Sequence, residues 1–311
     1  MKQVEWVGQD GKMEQLMRSV HAGRIVHALL FSGPRGTGKR TAAKWFSQAM
    51  LCRGEDKPCG VCPACKRFLA DAHPDVKVIR PEKNIIKVDA IRELIDYLSM
   101  RPYEGGKHIA IIEQADKMNA NAQNALLKTL ESPTGDAMFF LLTDAPGGLL
   151  STILSRCQTV RFSPLSVEEC AHVLERKGVE PQRAFMLAGL AQGSVGRAME
   201  LDGDEAFFEL RTRTINSLEA LRGDASVAYA ASMIAEEKGS EQAILEIMEL
   251  WARDLMAVQN GAEPFERADA ERLRRSRLNG AKLLKAVMNA GQQLSANVSW
   301  INVLESMYFG L

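Results

Sequence analysis

The sequence predicts an α/β domain built on a parallel sheet, followed by an all-α remainder. Three observations predict it. Short continuous apolar runs alternate with helical patterns over residues 1–163. A glycine-rich pattern, GPRGTGK (33–39), joins the first such run to the first helix after it. Beyond Pro164 the strand-like runs stop, and helical periodicity continues to Leu311. Strands that are apolar throughout, without alternation, belong to a sheet covered on both faces, and helices between them make it parallel.

The elements follow in chain order. HALLF (27–31) is the first strand, and TAAKWFSQAML (41–51) is a helix with Trp45, Phe46, Ala49 and Met50 clustered. DVKVI (75–79) is a second strand. VDAIRELIDYLSM (88–100) is an amphipathic helix with Ile91, Leu94, Ile95 and Leu98 on one side. HIAII (108–112) is a buried strand, and ANAQNALLKTLES (120–132) is a helix closed by Pro133. MFFLLT (138–143) and TVRF (159–162) complete the sheet. Ser166 and Glu169 have the spacing of a capping box at the start of SVEECAHVLERKG (166–178). Residues 181–201 hold two short helices around Gly193, and helices then run to the end, broken near 261–264 and at Gly280. Three units are expected: 1–163, 164–203 and 204–311.

A chain of 311 residues exceeds one ordinary core. Thirty-nine basic and 39 acidic residues cancel, which argues against a protein coated in base for solitary nucleic-acid binding. No apolar run reaches the ~18–20 residues that span a bilayer. The start, MKQVEWVGQDGK, has no apolar signal region, so a cytoplasmic, non-membrane protein is expected. The six cysteines are then thiols or metal ligands before they are disulfides.

Cys52, Cys59, Cys62 and Cys65 sit in LCRGEDKPCGVCPAC. Four thiolates at this spacing fold around one tetrahedral zinc, and Gly60 and Pro63 suit the turns between them. Closed coordination by four sulfurs leaves no place for water, so this zinc is structural. Four unrelated thiols and an iron–sulfur cluster are the rival readings. Cys157 and Cys170 read as ordinary buried thiols.

Residues 33–41 satisfy the phosphate-loop pattern at Gly33, Gly38 and Lys39. The loop backbone, with Gly33, Gly36, Thr37 and Gly38, would cradle phosphates while Lys39 reaches their oxygens. The next position, where a hydroxyl joins the Mg²⁺ shell, is Arg40. Thr41 is turned away by roughly 100°. Arg40 is expected to face solvent. After HIAII, where a metal-holding Asp and a basic Glu are usual, stand Glu113 and Gln114, and an amide cannot act as a general base. Asp116 lies past the strand end. Hydroxyl, metal carboxylate and base are altered together, so weak or vestigial binding of ATP or ADP, with or without Mg²⁺, is expected ahead of hydrolysis.

In chain order, VGQ (7–9), HALLFSGPRGTGK (27–39), CGVCPAC (59–65), NALLKTLESP (124–133) and LSRC (154–157) resemble the AAA+ subunits of the bacterial DNA polymerase III clamp loader. The resemblance extends to LSANVSWINVLESMYFGL (294–311). Two subunit types share this plan, an ATP-hydrolysing gamma/tau motor and a largely non-catalytic delta-prime partner. The motor type carries GK-[ST], an Asp-Glu pair and a YRP stretch near its start. This chain has GKR, Glu-Gln and no YRP, and so resembles the delta-prime type.

The resemblance implies an AAA+ domain with a zinc module, a small helical lid and a helical collar. It implies that Arg156, in Ser155-Arg156-Cys157, enters a neighbouring subunit's ATP site as an arginine finger. Thr143 falls at the sensor-1 position and Arg197 at sensor-2. Implied partners are gamma/tau and delta subunits in a hetero-pentamer, the sliding clamp, and primer–template DNA gripped by the assembly, all within the DNA polymerase III holoenzyme. Arg272, Arg274, Arg275 and Arg277 form a basic run that reads first as a solvated helix face. The alternatives are a gamma/tau-type motor and a branch-migration or chaperone ATPase, the latter opposed by the cysteine cluster and S-R-C.

Overall fold

Five apolar segments pair into one sheet: β1 (Ala28–Ser32), β2 (Val76–Ile79), β3 (His108–Ile112), β4 (Ala137–Thr143) and β5 (Gln158–Arg161). The strands run parallel in the order β2-β3-β4-β1-β5. A computed structural model describes residues 6–23, 25–104, 106–133, 135–223, 226–237 and 239–311. The first five residues of the amino-terminal stretch lie outside them. Strands β1, β3 and β4 are buried along their whole length, which is why their sequences are apolar without alternation.

Successive residues of β4 serve opposite faces of the sheet. Met138, Phe140 and Leu142 join Phe31, Phe46 and Phe162 on one side, under α1 (Asp10–His21) and α2 (Lys39–Leu51). Phe139 and Leu141 join Leu94, Leu98, Leu126 and Leu130 on the other, under α4 (Val88–Ser99) and α5 (Ala120–Glu131). Each fully buried Phe or Leu contributes about 1.5–3 kcal/mol, so these two layers dominate the stability of the sheet. Asn119 caps α5 by accepting the Ala122 N–H at 2.8 Å. Of the Ile91, Leu94, Ile95 and Leu98 stripe, all are buried except Ile95, which packs partly covered at the edge.

Two helices of more than one turn in this region escape the periodicity of the sequence. One is α1, in which only Met13 and Leu16 are buried among the described residues. The other is α3 (Pro63–Leu69), inside the cysteine segment. Pro63 occupies its first turn, where no N–H is needed, and the Cys62 sulfur caps it. The four-residue α6 (Ser151–Leu154) is too short to leave a pattern.

The described residues divide into two compact units, Met1–Glu169 with Gly193–Arg197, and Cys170–Gln192 with Ala198–Leu311. The capping box forms: Glu169 N–H donates to Ser166 Oγ at 3.1 Å, and Ser166 N–H to Glu169 Oε2 at 2.9 Å. It opens α7 (Val167–Arg176), and α8 (Pro181–Leu190) and α9 (Val195–Leu201) are the two short helices around Gly193. The second unit continues with α10 (Glu205–Glu219), α11 (Val227–Ser232), α12 (Glu241–Gln259), α13 (Ala270–Arg275), α14 (Gly280–Ser295) and α15 (Trp300–Phe309). Gly280 begins a helix rather than merely breaking one. Asn279 caps it at Lys282 N–H, and a Cβ on Gly280 would lie 2.7 Å from the Met256 backbone nitrogen of α12.

Candidate functional site

Parallel strands end together, so their C-terminal edge gathers whatever follows each one. β1 leads into the phosphate loop, β2 into Arg80, β3 into Glu113 and β4 ends at Thr143. Ser32 and Thr143 are register partners, and Gly33 N–H donates to Thr143 O at 3.2 Å. Gly33 must lack a side chain, because a Cβ there would stand 2.1 Å from the Phe162 carbonyl oxygen. Gly38 sits at φ 90° where α2 begins.

Lys39 is buried and its ammonium is fully engaged within the chain. It donates to Gly33 O at 2.6 Å and Pro34 O at 2.7 Å, and pairs with Asp144 at 2.6 Å. Thr37 Oγ1 donates to Pro34 O at 2.8 Å. Thr143 is buried, donates to Asp116 Oδ1 at 2.7 Å, and accepts the Ala145 N–H at 3.1 Å. Asp116, beyond the end of β3, thus holds the hydroxyl that ends β4.

Arg40 is exposed, and it also meets a partner within the chain. Its Nε lies 3.0 Å from Glu113 Oε1, while Arg80 Nε reaches Glu113 Oε2 at 3.3 Å. Glu113 is only 16% exposed and stands between two guanidiniums. The reason is physical: a hydroxyl and a carboxylate are bridged by a metal, whereas a guanidinium and a carboxylate attract directly. Gln114 is exposed with left-handed backbone, φ 49°. Thr41 is exposed, as its helical offset implies.

Residues Gly193–Arg197 close on the outside of the phosphate loop. Gly196 N–H donates to Gly36 O at 3.1 Å, and Ser194 Oγ donates to Arg35 O at 2.9 Å. Ser194 Oγ also accepts the Arg197 N–H at 3.2 Å, so the same hydroxyl orients the backbone at Arg197. Gly36, at φ 78°, has no room for a Cβ, which would lie 2.1 Å from Ser194 Oγ. A Cβ on Gly196 would lie 2.7 Å from the Gly36 Cα. Both of these acceptors are loop carbonyls. Loop and latch are both glycine-rich in sequence, but nothing in the pattern pairs them.

The sulfurs of Cys52, Cys59, Cys62 and Cys65 all lie within 4.8 Å of one another, and none is in a disulfide. Backbone N–H groups of Gly54 and Cys59 point at the Cys52 sulfur at 3.3 Å, with Cys62 N–H on Cys59 and Cys65 N–H on Cys62 at 3.4 Å. Such donors favour thiolates. Backbone donors from Cys62 and Val61 hold Cys59 below the usual thiol range. Burial pushes Cys62 up, but the Arg53 and Cys65 N–H groups outweigh it and bring it to about 6. Burial drives Cys65 the other way, up to about 12. Four converging sulfurs with these donors fit a closed tetrahedral metal site. Glu104 fastens the module to the domain by pairing with Arg67 and, at 3.1 Å, with Arg53. Asp75 in turn holds the Tyr103 and Glu104 N–H groups at 2.6 and 3.0 Å. Cys157 and Cys170 are buried, and burial raises both thiols to about 11.

Arg156 stands in the turn between α6 and β5. Its Nη1 donates to Thr152 O at 2.9 Å and Ser155 Oγ at 3.3 Å, and its Nη2 pairs with Glu131 at the end of α5. In the second unit, Arg272 makes a two-pronged contact with Glu219 at 2.9 and 2.8 Å, Arg274 faces Glu263 at 3.6 Å, and Arg275 faces Glu271 at 3.4 Å. Much of the basic run is therefore neutralised from within.

A parallel sheet in this order, with a phosphate loop after β1, Glu113 after β3 and a helical remainder, defines a protein of the AAA+ P-loop class. The family model described as "DNA polymerase III, delta subunit" matches residues 8–166. DNA polymerase III subunit delta' of Bacillus subtilis is 33% identical over 308 residues, covering 95% of this chain and 93% of that protein. Its counterpart in Pseudomonas aeruginosa is 36% identical over 239 residues, covering 73% and 70%. DNA polymerase III subunit tau of Escherichia coli is 32% identical over 262 residues, covering 80% of this chain but 40% of that protein. The chain belongs to the delta-prime family of DNA polymerase III subunits. No helix among the described residues is long and apolar enough to cross a membrane.

Proposed function

We propose that this chain is the largely non-catalytic subunit of a clamp loader, which sets a sliding clamp on primer–template DNA during replication. Its partners would be gamma/tau motors and a delta subunit in a hetero-pentamer. The observation that carries this reading is the Arg40–Glu113 ion pair, which stands where a nucleotide-bound metal would be held. The two positions that would ligate Mg²⁺ neutralise each other instead. Gln114 offers no base, and Lys39 is already paired with Asp144. A gamma/tau-type motor needs a hydroxyl at 40 and a carboxylate base at 114, and this chain has neither.

In this reading Gly33, Gly36, Thr37, Gly38, Lys39, Arg40, Thr41, Glu113, Thr143 and Arg197 form a site that holds ATP or ADP weakly or keeps its shape without it. Cys52, Cys59, Cys62 and Cys65 would hold one structural zinc, whose charge offsets the clustered thiolates. Residues 164–203 act as lid and 204–311 as collar. Arg156 is the chain's catalytic contribution. Its guanidinium stabilises charge on the γ-phosphoryl group in a neighbour's site, an effect on the order of 10³–10⁵ in rate for such fingers.

Nucleotide titration and turnover assays on the isolated chain, with and without magnesium, test the silent site. The expected result is weak binding that gains little from magnesium, and no turnover above background. Magnesium-dependent hydrolysis abolished by Lys39→Ala would assign the chain to the motors.

A further inference from the structure

We infer that Glu131 is a positioning residue, which holds the Arg156 guanidinium in place for a phosphate on a neighbouring subunit. The inference rests on the arginine-finger reading above. An arginine side chain has four rotatable bonds, and an unheld one samples many directions. Here both ends of the side chain are fixed. Ser155 N–H donates to Ser151 O and Arg156 N–H to Ile153 O, each at 3.0 Å, which sets the turn. Cys157, the next residue, is buried in the sheet's core and anchors the chain beyond it. The guanidinium then meets three acceptors, Thr152 O, Ser155 Oγ and Glu131 Oε1.

Two of these acceptors belong to Arg156's own turn and move with it. Glu131 does not. It ends α5, whose Leu126 and Leu130 are buried in the core. The α5 end is also tied to the residue before β1, because His27 Nε2 lies 2.8 Å from Leu130 O. Glu131 therefore refers the guanidinium to the frame of the sheet. Arg156 remains 32% exposed and Glu131 51%, so the pair lies at the surface, where an ion pair adds little to folding. Its consequence is the location of the charge. A small displacement of a catalytic group lowers the rate without weakening ground-state binding.

The test uses the reconstituted loader and measures kcat and KM for ATP. Glu131→Ala is expected to lower kcat about tenfold to a hundredfold, with KM changed less than about twofold. Glu131→Gln, which keeps an acceptor oxygen, should recover most of that loss. Added to Arg156→Ala, Glu131→Ala should change nothing further, since its effect runs through the guanidinium. An unchanged or raised kcat in Glu131→Ala, while Arg156→Ala is defective, would overturn the positioning role and leave the finger intact. A further loss in the double variant would also overturn it. Full turnover in Arg156→Ala would remove the finger reading itself.

Discussion

Replacing the hydroxyl after the P-loop lysine by a guanidinium removes a metal ligand and supplies a cation that reaches Glu113. The mismatch at Arg40 was legible in the sequence; its partner was not. Glu113 lies far along the chain and arrives beside Arg40 only because β1 and β3 end at the same edge of a parallel sheet. The glycine latch has the same character. Gly36 and Gly196 look interchangeable with other loop glycines until the two backbones meet. Gly196→Ala would place a methyl against Gly36 Cα, and is expected to destabilise the chain by about 1–3 kcal/mol. A thermal melt checks this, at about 2–4 °C per kcal/mol for a domain of this size. A melting temperature equal to that of the unaltered chain would show that the latch yields without cost.

At the scale of elements, the sheet could be read directly because strands buried on both faces have no polar positions to confuse the pattern. Strands β1, β3 and β4 are buried throughout, and their segments are apolar along their length. Helix α1 was missed because two buried residues are too weak a signal, and α3 because its order depends on cysteine geometry rather than periodicity. The cysteine spacing announced the cluster, but not Glu104, which grips Arg53 and Arg67 beside it. If zinc organises this module, stripping it should release about one zinc per chain and lower the melting temperature, with restoration on adding zinc back. Spectrophotometric titration of released metal, followed by thermal melts, measures both. Metal-free protein with an unchanged melt would remove the structural role.

Across the whole molecule, the family, the class of fold and the succession of sheet and helices were all visible in the sequence. What the sequence could not display is how thoroughly the chain satisfies its own charges. Lys39 pairs with Asp144, Arg40 and Arg80 with Glu113, and Arg272 with Glu219. In a subunit so arranged Lys39 and Arg40 already have acidic partners, and the proposed chemistry moves to Arg156 and the next subunit. The most direct measurement of that claim is the ATP hydrolysis rate of the loader reconstituted with Arg156→Ala. The account predicts normal assembly and ATP affinity with a rate at least about tenfold lower, within what a missing finger costs. A fully assembled loader that hydrolyses ATP at the unaltered rate would contradict it.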